Sequence, residues 1–244
     1  MVNISIVPEA IGHIGSLPIT NTLLTSWLVV AALSVGAILF KKTLREIPGK
    51  LQSAVEIFFE TLIDFFESVA GGRAEAERFL PIVGTIFIFV LTANWAGLIP
   101  GLGAIGLHES DGAFVPLFRS VNSDLNMTLA LAIIAVTLSH IFGIIFVGMK
   151  HHLGKFISFK SPITFFVGIL ELVSEFAKIL SFTFRLFGNV FAGEVLLTIV
   201  AFLVPYLAPV PFLGLELFVG VIQALIFATL ALVALSANTV KTGH

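Results

Sequence analysis

The sequence predicts an all-α membrane protein, with about five membrane-embedded helices and one amphipathic helix lying at the interface. Three observations lead there. Of 244 residues, 57% are hydrophobic and only 11% charged, where a soluble domain carries about 25% charged residues. Mean hydropathy is +1.08. Several apolar runs approach the roughly 20 residues that a helix needs to cross a bilayer core. A soluble globular protein, a disordered chain and a nucleic-acid binder are thereby excluded. The formal charge of -2 offers no large basic field for polyanions. There are no cysteines, so disulfides, thiolate metal sites and a cysteine nucleophile drop out. Phe supplies 25 aromatic residues against 2 Trp and 1 Tyr, and Phe brings no polar atom into lipid.

The elements follow in order, and the whole of 1–244 reads as a single membrane domain. Met1 to Pro18 holds no Lys or Arg, so no secretory signal is expected, and 1–20 reads as an outer tail. The run 21–40 is a first span that ends at Lys41, Lys42 and Arg45. Basic residues flanking a span mark the cytoplasmic side, which puts the N-terminus outside. In 51–70, Glu56, Glu60, Asp64 and Glu67 share one helical face among phenylalanines. Four acids disfavour a crossing, so this helix lies on the membrane without a chemical task, and Gly71 and Gly72 end it. A second span, 79–99, is entered through Arg73 and Arg78 and left at Pro100. A polar outer loop runs to about Ser123. Its GLGAIG run lacks a preceding strand and carries no weight as a phosphate motif. A third span, 125–149, is capped by Asp124 and lands on Lys150, His151, His152, Lys155 and Lys160. The adjacent histidines read as a solvated loop rather than a metal site.

After Pro162 one apolar stretch continues through 163–203, about twice what a perpendicular crossing needs. It must tilt, bend or be two helices. Pro205, Pro209 and Pro211 interrupt it, and 212–237 returns the chain to Lys241. Ten of the 13 Lys and Arg fall on the proposed inside, Arg119 alone falls outside, and Lys178 and Arg185 are within the membrane.

Those last charges are costly. A charge at the bilayer centre costs from about 2.5 kcal/mol upward, so intramembrane ionisable groups usually line an ion path or pair with each other. At about 100° per residue, Glu171, Lys178, Arg185 and Asn189 fall near one line, with Glu175 slightly off it. Glu194 points to about the opposite face, and Glu216 and Gln223 share a face of the last helix. Arg185 stays protonated, so it can hold a carboxylate ionised or repel a passing cation, but it cannot relay a proton. Alternatively it is neutralised within the chain by Glu175 or Glu194, or snorkels to the interface. Glu194 and Glu216 could relay protons or merely bind two helices together. Asn94 reads first as an interhelical hydrogen bond, His140 as a satisfied core histidine, and Glu171 with Lys178 as an inner-interface pair. No metal and no cofactor are expected, and no hydrolase or phosphate-loop motif is present.

The run SFTFRLFGNVFAGEVLL, Ser181 to Leu197, resembles the subunit a family of the F-type ATP synthase membrane sector. NWAGLIPG from Asn94, SDLNMTLALA from Ser123, LELVSEFAK from Leu170 and IQALIFATLA from Ile222 agree in order. The likeness covers roughly 20 to 240. It implies a non-catalytic stator within the ion-transporting ATPase complex, with its last two long helices strongly tilted against a ring of c subunits. Further implied partners are peripheral-stalk b subunits, membrane lipid and, indirectly, the catalytic head, with no nucleic acid. By the same resemblance Arg185 is the essential stator charge. Glu194 and Glu216 would line the outer half-channel, Asn189 and Gln223 would sit near the arginine, and Glu171, Lys178 and Ser181 would border the inner path. Some members have His where this chain has Glu216, so a carboxyl-and-water route is expected. A bacterial inner membrane is the expected location. The runner-up class is a stand-alone transporter or channel, for which no internal repeat is found.

Overall fold

The computed structural model describes residues 7–15, 17–102, 105–108, 114–156, 161–205 and 207–239. Lys160, Lys241 and Gly103 of the GLGAIG run, on which three of the expectations above fall, lie outside them. Among the described residues five helices are long and apolar enough to cross a membrane.

A short antiparallel hairpin, β1 (Ala10–Ile14) with β2 (Leu17–Thr20), leads into α1 (Asn21–Thr43). Thr20 caps α1 by accepting from the Leu23 N–H, and Lys41 and Lys42 sit favourably at its negative end. Helix α2 (Lys50–Ala70) buries only Leu62 and Phe66 and stops at Gly71, which takes the left-handed φ of +83°. Acids of α2 converge on Arg73, which donates to Asp64 at 3.0 Å and also to Glu60, while it reaches Glu77 of its own helix at 2.9 Å.

Helix α3 (Arg73–Ala96) begins earlier and stops sooner than the expected 79–99. Its polar first turns belong to the helix because Arg73 bridges them to α2. It ends where Gly97 meets the outer loop, since a Cβ there would lie 2.5 Å from Ser120 Cβ. The loop between α3 and α4, expected on the outer side, carries a second hairpin, β3 (Gly106–His108) with β4 (Phe114–Pro116), and a 3-10 turn at Val121–Ser123. Neither hairpin was legible as alternating polar and apolar residues.

Helix α4 (Leu125–Val147) is capped by Asp124, which accepts from the Asn126 N–H at 2.9 Å. The other carboxylate oxygen of Asp124 accepts from Thr22 Oγ at 2.7 Å and so ties α4 to α1. A turn at Gly148 leads to the short α5 (Met149–Gly154). Helix α6 (Pro162–Leu203) opens with a capping box between Ser161 and Thr164 and with Pro162 in its first turn. Its 42 residues form one continuous helix, about 63 Å long at about 1.5 Å per residue. Of the three ways to accommodate that length, two separate helices is therefore discarded. Helix α7 (Pro209–Thr239) begins three residues before the expected 212, because Pro209 and Pro211 fit a first turn that has no N–H bonds to lose.

Helix α7 lies at the centre, against α3, α4, α6 and α2. Gly220, Ala224, Ala228 and Ala231 are buried there, and small side chains let the backbones approach. Phe79, Val83, Val90, Leu232 and Leu235 fill the core. Helix α1 buries only its first turns, Asn21 to Val29, and leaves Val35, Ile38 and Leu39 exposed.

Candidate functional site

Two faces of α6 carry the chemistry. On the outward face Ser181, Arg185 and Asn189 are exposed, with Lys178 half-buried one step earlier. The Arg185 guanidinium donates to Ser181 Oγ at 3.3 Å, and Asn189 donates to the Arg185 carbonyl at 2.7 Å. Arg185 also shares a narrow crevice with Gln223 of α7, walled by Phe182, Leu186 and Phe227. Among the described residues no carboxylate lies within ion-pair distance of Arg185.

The two internal partners weighed for Arg185 are engaged elsewhere. Glu194 pairs with Arg119, Nε to Oε1 at 3.0 Å. Glu175 accepts from Lys178 at 2.8 Å and lies 3.5 Å from His140. Lys178 therefore bonds Glu175 rather than Glu171, as spacing of three on a helix allows. Glu171 is half-buried two turns before Lys178, toward the N-terminal end of α6.

On the opposite face α6, α7, α3 and the outer loop enclose a cavity of about 300 Å³. Glu194, Glu216, Asn94, Arg119, Ser120, Thr198 and Glu9 line it. The Glu216 carboxylate rests on α6 where a Cβ on Gly193 would stand, so only glycine leaves it room. Asn94 donates to the Gly220 carbonyl at 3.1 Å and accepts from Asn122 at 2.7 Å. It is thus the expected interhelical hydrogen bond and a cavity wall at once. Of the cavity's lining atoms, Glu9 Oε2, Ser120 Oγ and Glu194 Oε2 are buried without a hydrogen-bond partner among the described residues. A cavity this large, with several charged and polar groups on its wall, suits water, which would satisfy such atoms.

The structure thus gathers Glu194, Glu216 and Asn94 at one cavity and Arg185 and Gln223 at one crevice, with Ser181 and Asn189 bonded to Arg185 along α6 and Glu171 and Lys178 toward the N-terminal end of that helix. Sequence reasoning missed Arg119 and Glu9 as cavity residues. The signal for Arg119 was its isolation as the one basic residue expected outside; its partner, 75 positions away, was not legible. It also misjudged His152, which is buried rather than solvated, while His151 is exposed as expected.

The ATP synthase A chain family matches residues 23–236. The ATP synthase subunit a of Moorella thermoacetica is 33% identical over 237 residues, covering 97% of this chain and 98% of that protein. The chloroplastic ATP synthase subunit a of Stigeoclonium helveticum is 35% identical over 211 residues, covering 86% of this chain and 81% of that one.

Proposed function

The chain belongs to the ATP synthase A chain family, and from that premise we propose that it is the ion-conducting stator of the synthase's rotary membrane sector. It is a multi-pass membrane protein. Two offset half-channels carry ions to and from the carboxylates of a c-subunit ring that runs along the outward face of α6. The observation that carries this reading is the state of Arg185. It is exposed on a membrane helix, and both internal carboxylates that could neutralise it are held by other cations. A guanidinium in an apolar bilayer needs an anion, and a ring carboxylate would supply it.

The outer half-channel is the cavity. Protons pass between Glu194, Glu216 and water, with Asn94 as a fixed polar wall. Arg185, flanked by Asn189 and Gln223, faces the ring and separates the two paths, because its fixed charge repels a cation that tries to cross directly. A ring carboxylate nearing Arg185 is stabilised as the anion and gives up its proton. After nearly a full turn it takes another from the other path. Ser181, Lys178 and Glu171 border the inner exit. Moving one charge across about 100 mV is worth about 2.3 kcal/mol, so several ions drive each ATP. Ten basic residues on one side against Arg119 on the other favour an outside N-terminus, a cytoplasmic C-terminus and a bacterial inner membrane. Peripheral-stalk b subunits would hold the chain against the torque.

Because the chain has no cysteine of its own, cross-linking tests the ring contact cleanly. Ser181→Cys should form a disulfide with a cysteine set beside the ring carboxylate, and Ile38→Cys on α1 should not. The purified chain should also carry the ring and a soluble ATPase head. Isolation of a functional chain without either would favour a stand-alone transporter.

A further inference from the structure

A second ionisable cluster lies beside the proposed path and shares Lys178 with it, where α4, α5, α6 and α7 meet. His140 Nδ1 of α4 stands 3.1 Å from His152 Nε2 of α5. His140 Nε2 stands 3.5 Å from Glu175 Oε2 of α6, an oxygen with no hydrogen-bond partner of its own. Lys178 holds the other Glu175 oxygen at 2.8 Å. Lys155, just past α5, donates to Asn238 of α7, which donates to Ser139 at 3.0 Å. Glu171 is the remaining charge on this part of α6, and Lys150 and His151 point out to solvent from α5. His152 is 3% exposed and Glu175 8%.

Two glycines seat the segment. The His152 ring occupies the space a Cβ on Gly143 would need, 2.5 Å away, and the Phe156 carbonyl does the same at Gly168. Helix α5 is thus docked on α4 and the chain beyond it on α6.

We propose that His140, His152 and Glu175 form a proton-binding site that accommodates one proton between the two imidazoles and latches α5 over the inner end of α6. A neutral pair makes one N–H···N bond. Adding one proton to the pair keeps a single N–H between Nδ1 and Nε2 and allows an N–H at His140 Nε2 to face the unpartnered Glu175 oxygen. A second proton cannot fit. It would place two N–H groups head to head at 3.1 Å, and two cations beside Lys155 and Lys178 with Glu175 already shared. The second proton therefore breaks the contact, frees α5 and uncovers Glu175.

The sign agrees. Burial first, and then Lys155, push His152 below the ordinary histidine value. The docked contact is fully present above about pH 6.5 and is lost as pH falls through the lowered docked value. Only the assignment of this latch to the cytoplasmic side rests on the stator reading.

Amide hydrogen exchange on the intact complex in lipid nanodiscs tests it. Protection of residues 149–156 is followed from about pH 7.5 to about pH 5.5, corrected for intrinsic exchange and compared with residues 224–235 of α7 in the same sample. Wild type should lose about tenfold or more protection in the α5 segment alone. His152→Phe keeps a ring against Gly143 but cannot titrate, and its protection should stay flat. Should that variant fail to assemble, His140→Phe removes the other half of the pair and should flatten the response too. Flat protection in wild type, or an unchanged pH response in the Phe variants, overturns the latch. Exchange is read without any ion flux, so failure here leaves the stator reading untouched, and the reverse holds.

Discussion

Two arginines serve the same long helix and are held in opposite ways. Arg119 comes from the outer loop, its side chain is 10% exposed, and it pairs with Glu194 at 3.0 Å. Arg185 sits on the helix itself, is exposed, and among the described side chains its guanidinium hydrogen-bonds a serine hydroxyl, at 3.3 Å. Each is a permanent charge in a membrane protein, so each needs a counter-charge. For Arg119 the chain supplies one, and the residue is part of the fold. For Arg185 no described residue supplies one, and the stator reading directs it at a ring carboxylate. A charge neutralised at home costs stability when removed; one directed outward costs function and leaves the fold alone.

That contrast can be broken or sharpened by substitution. Arg119→Ala leaves Glu194 without its cation at the cavity wall. The full cost of breaking a buried pair is about 3–5 kcal/mol; with Glu194 partly exposed, about 2 kcal/mol is expected. The thermal midpoint of the assembled complex should fall, with partial recovery in Arg119→Lys, whereas Arg185→Ala should leave that midpoint in place. Equal losses for the two alanine variants would erase the distinction.

Thr22→Val removes the donor to Asp124, both buried. Loss of a hydrogen bond to a charged group should cost about 1.5–3 kcal/mol, and proteolysis of the outer loop should speed up accordingly. Asn94→Ala opens the link between α3, α7 and Asn122, for about 1 kcal/mol of destabilisation in the same thermal assay. The smallest effect is expected at Arg73, whose four carboxylates are all solvent-exposed. Arg73→Ala should shift the midpoint only slightly, and the shift should shrink further in high salt.

Much of this was legible in the sequence, for physical reasons. Apolar runs near bilayer length gave the spans, and the Asp124 cap follows from an acid just ahead of an apolar helix. Helical arithmetic placed Arg185 and Glu194 on opposite faces of α6, and the structure keeps them there. What escaped depends on distance along the chain. The partner of Arg119 is 75 residues away. His152 sits among Lys150 and His151, a neighbourhood that reads as solvent, and is buried only because Gly143 leaves it a seat. The early start of α3 hid behind its charges, which make sense only once Arg73 meets the acids of α2. Local pattern encodes faces and ends; it does not encode which faces meet.

The central claim is that Arg185 is a functional charge and not a structural one. ATP-driven acidification of inverted membrane vesicles tests it most directly, comparing wild type with Arg185→Ala at equal levels of assembled complex. The stator reading predicts that pumping vanishes while the complex stays assembled with its ring and ATPase head. An assembled Arg185→Ala complex that still pumps well would contradict it.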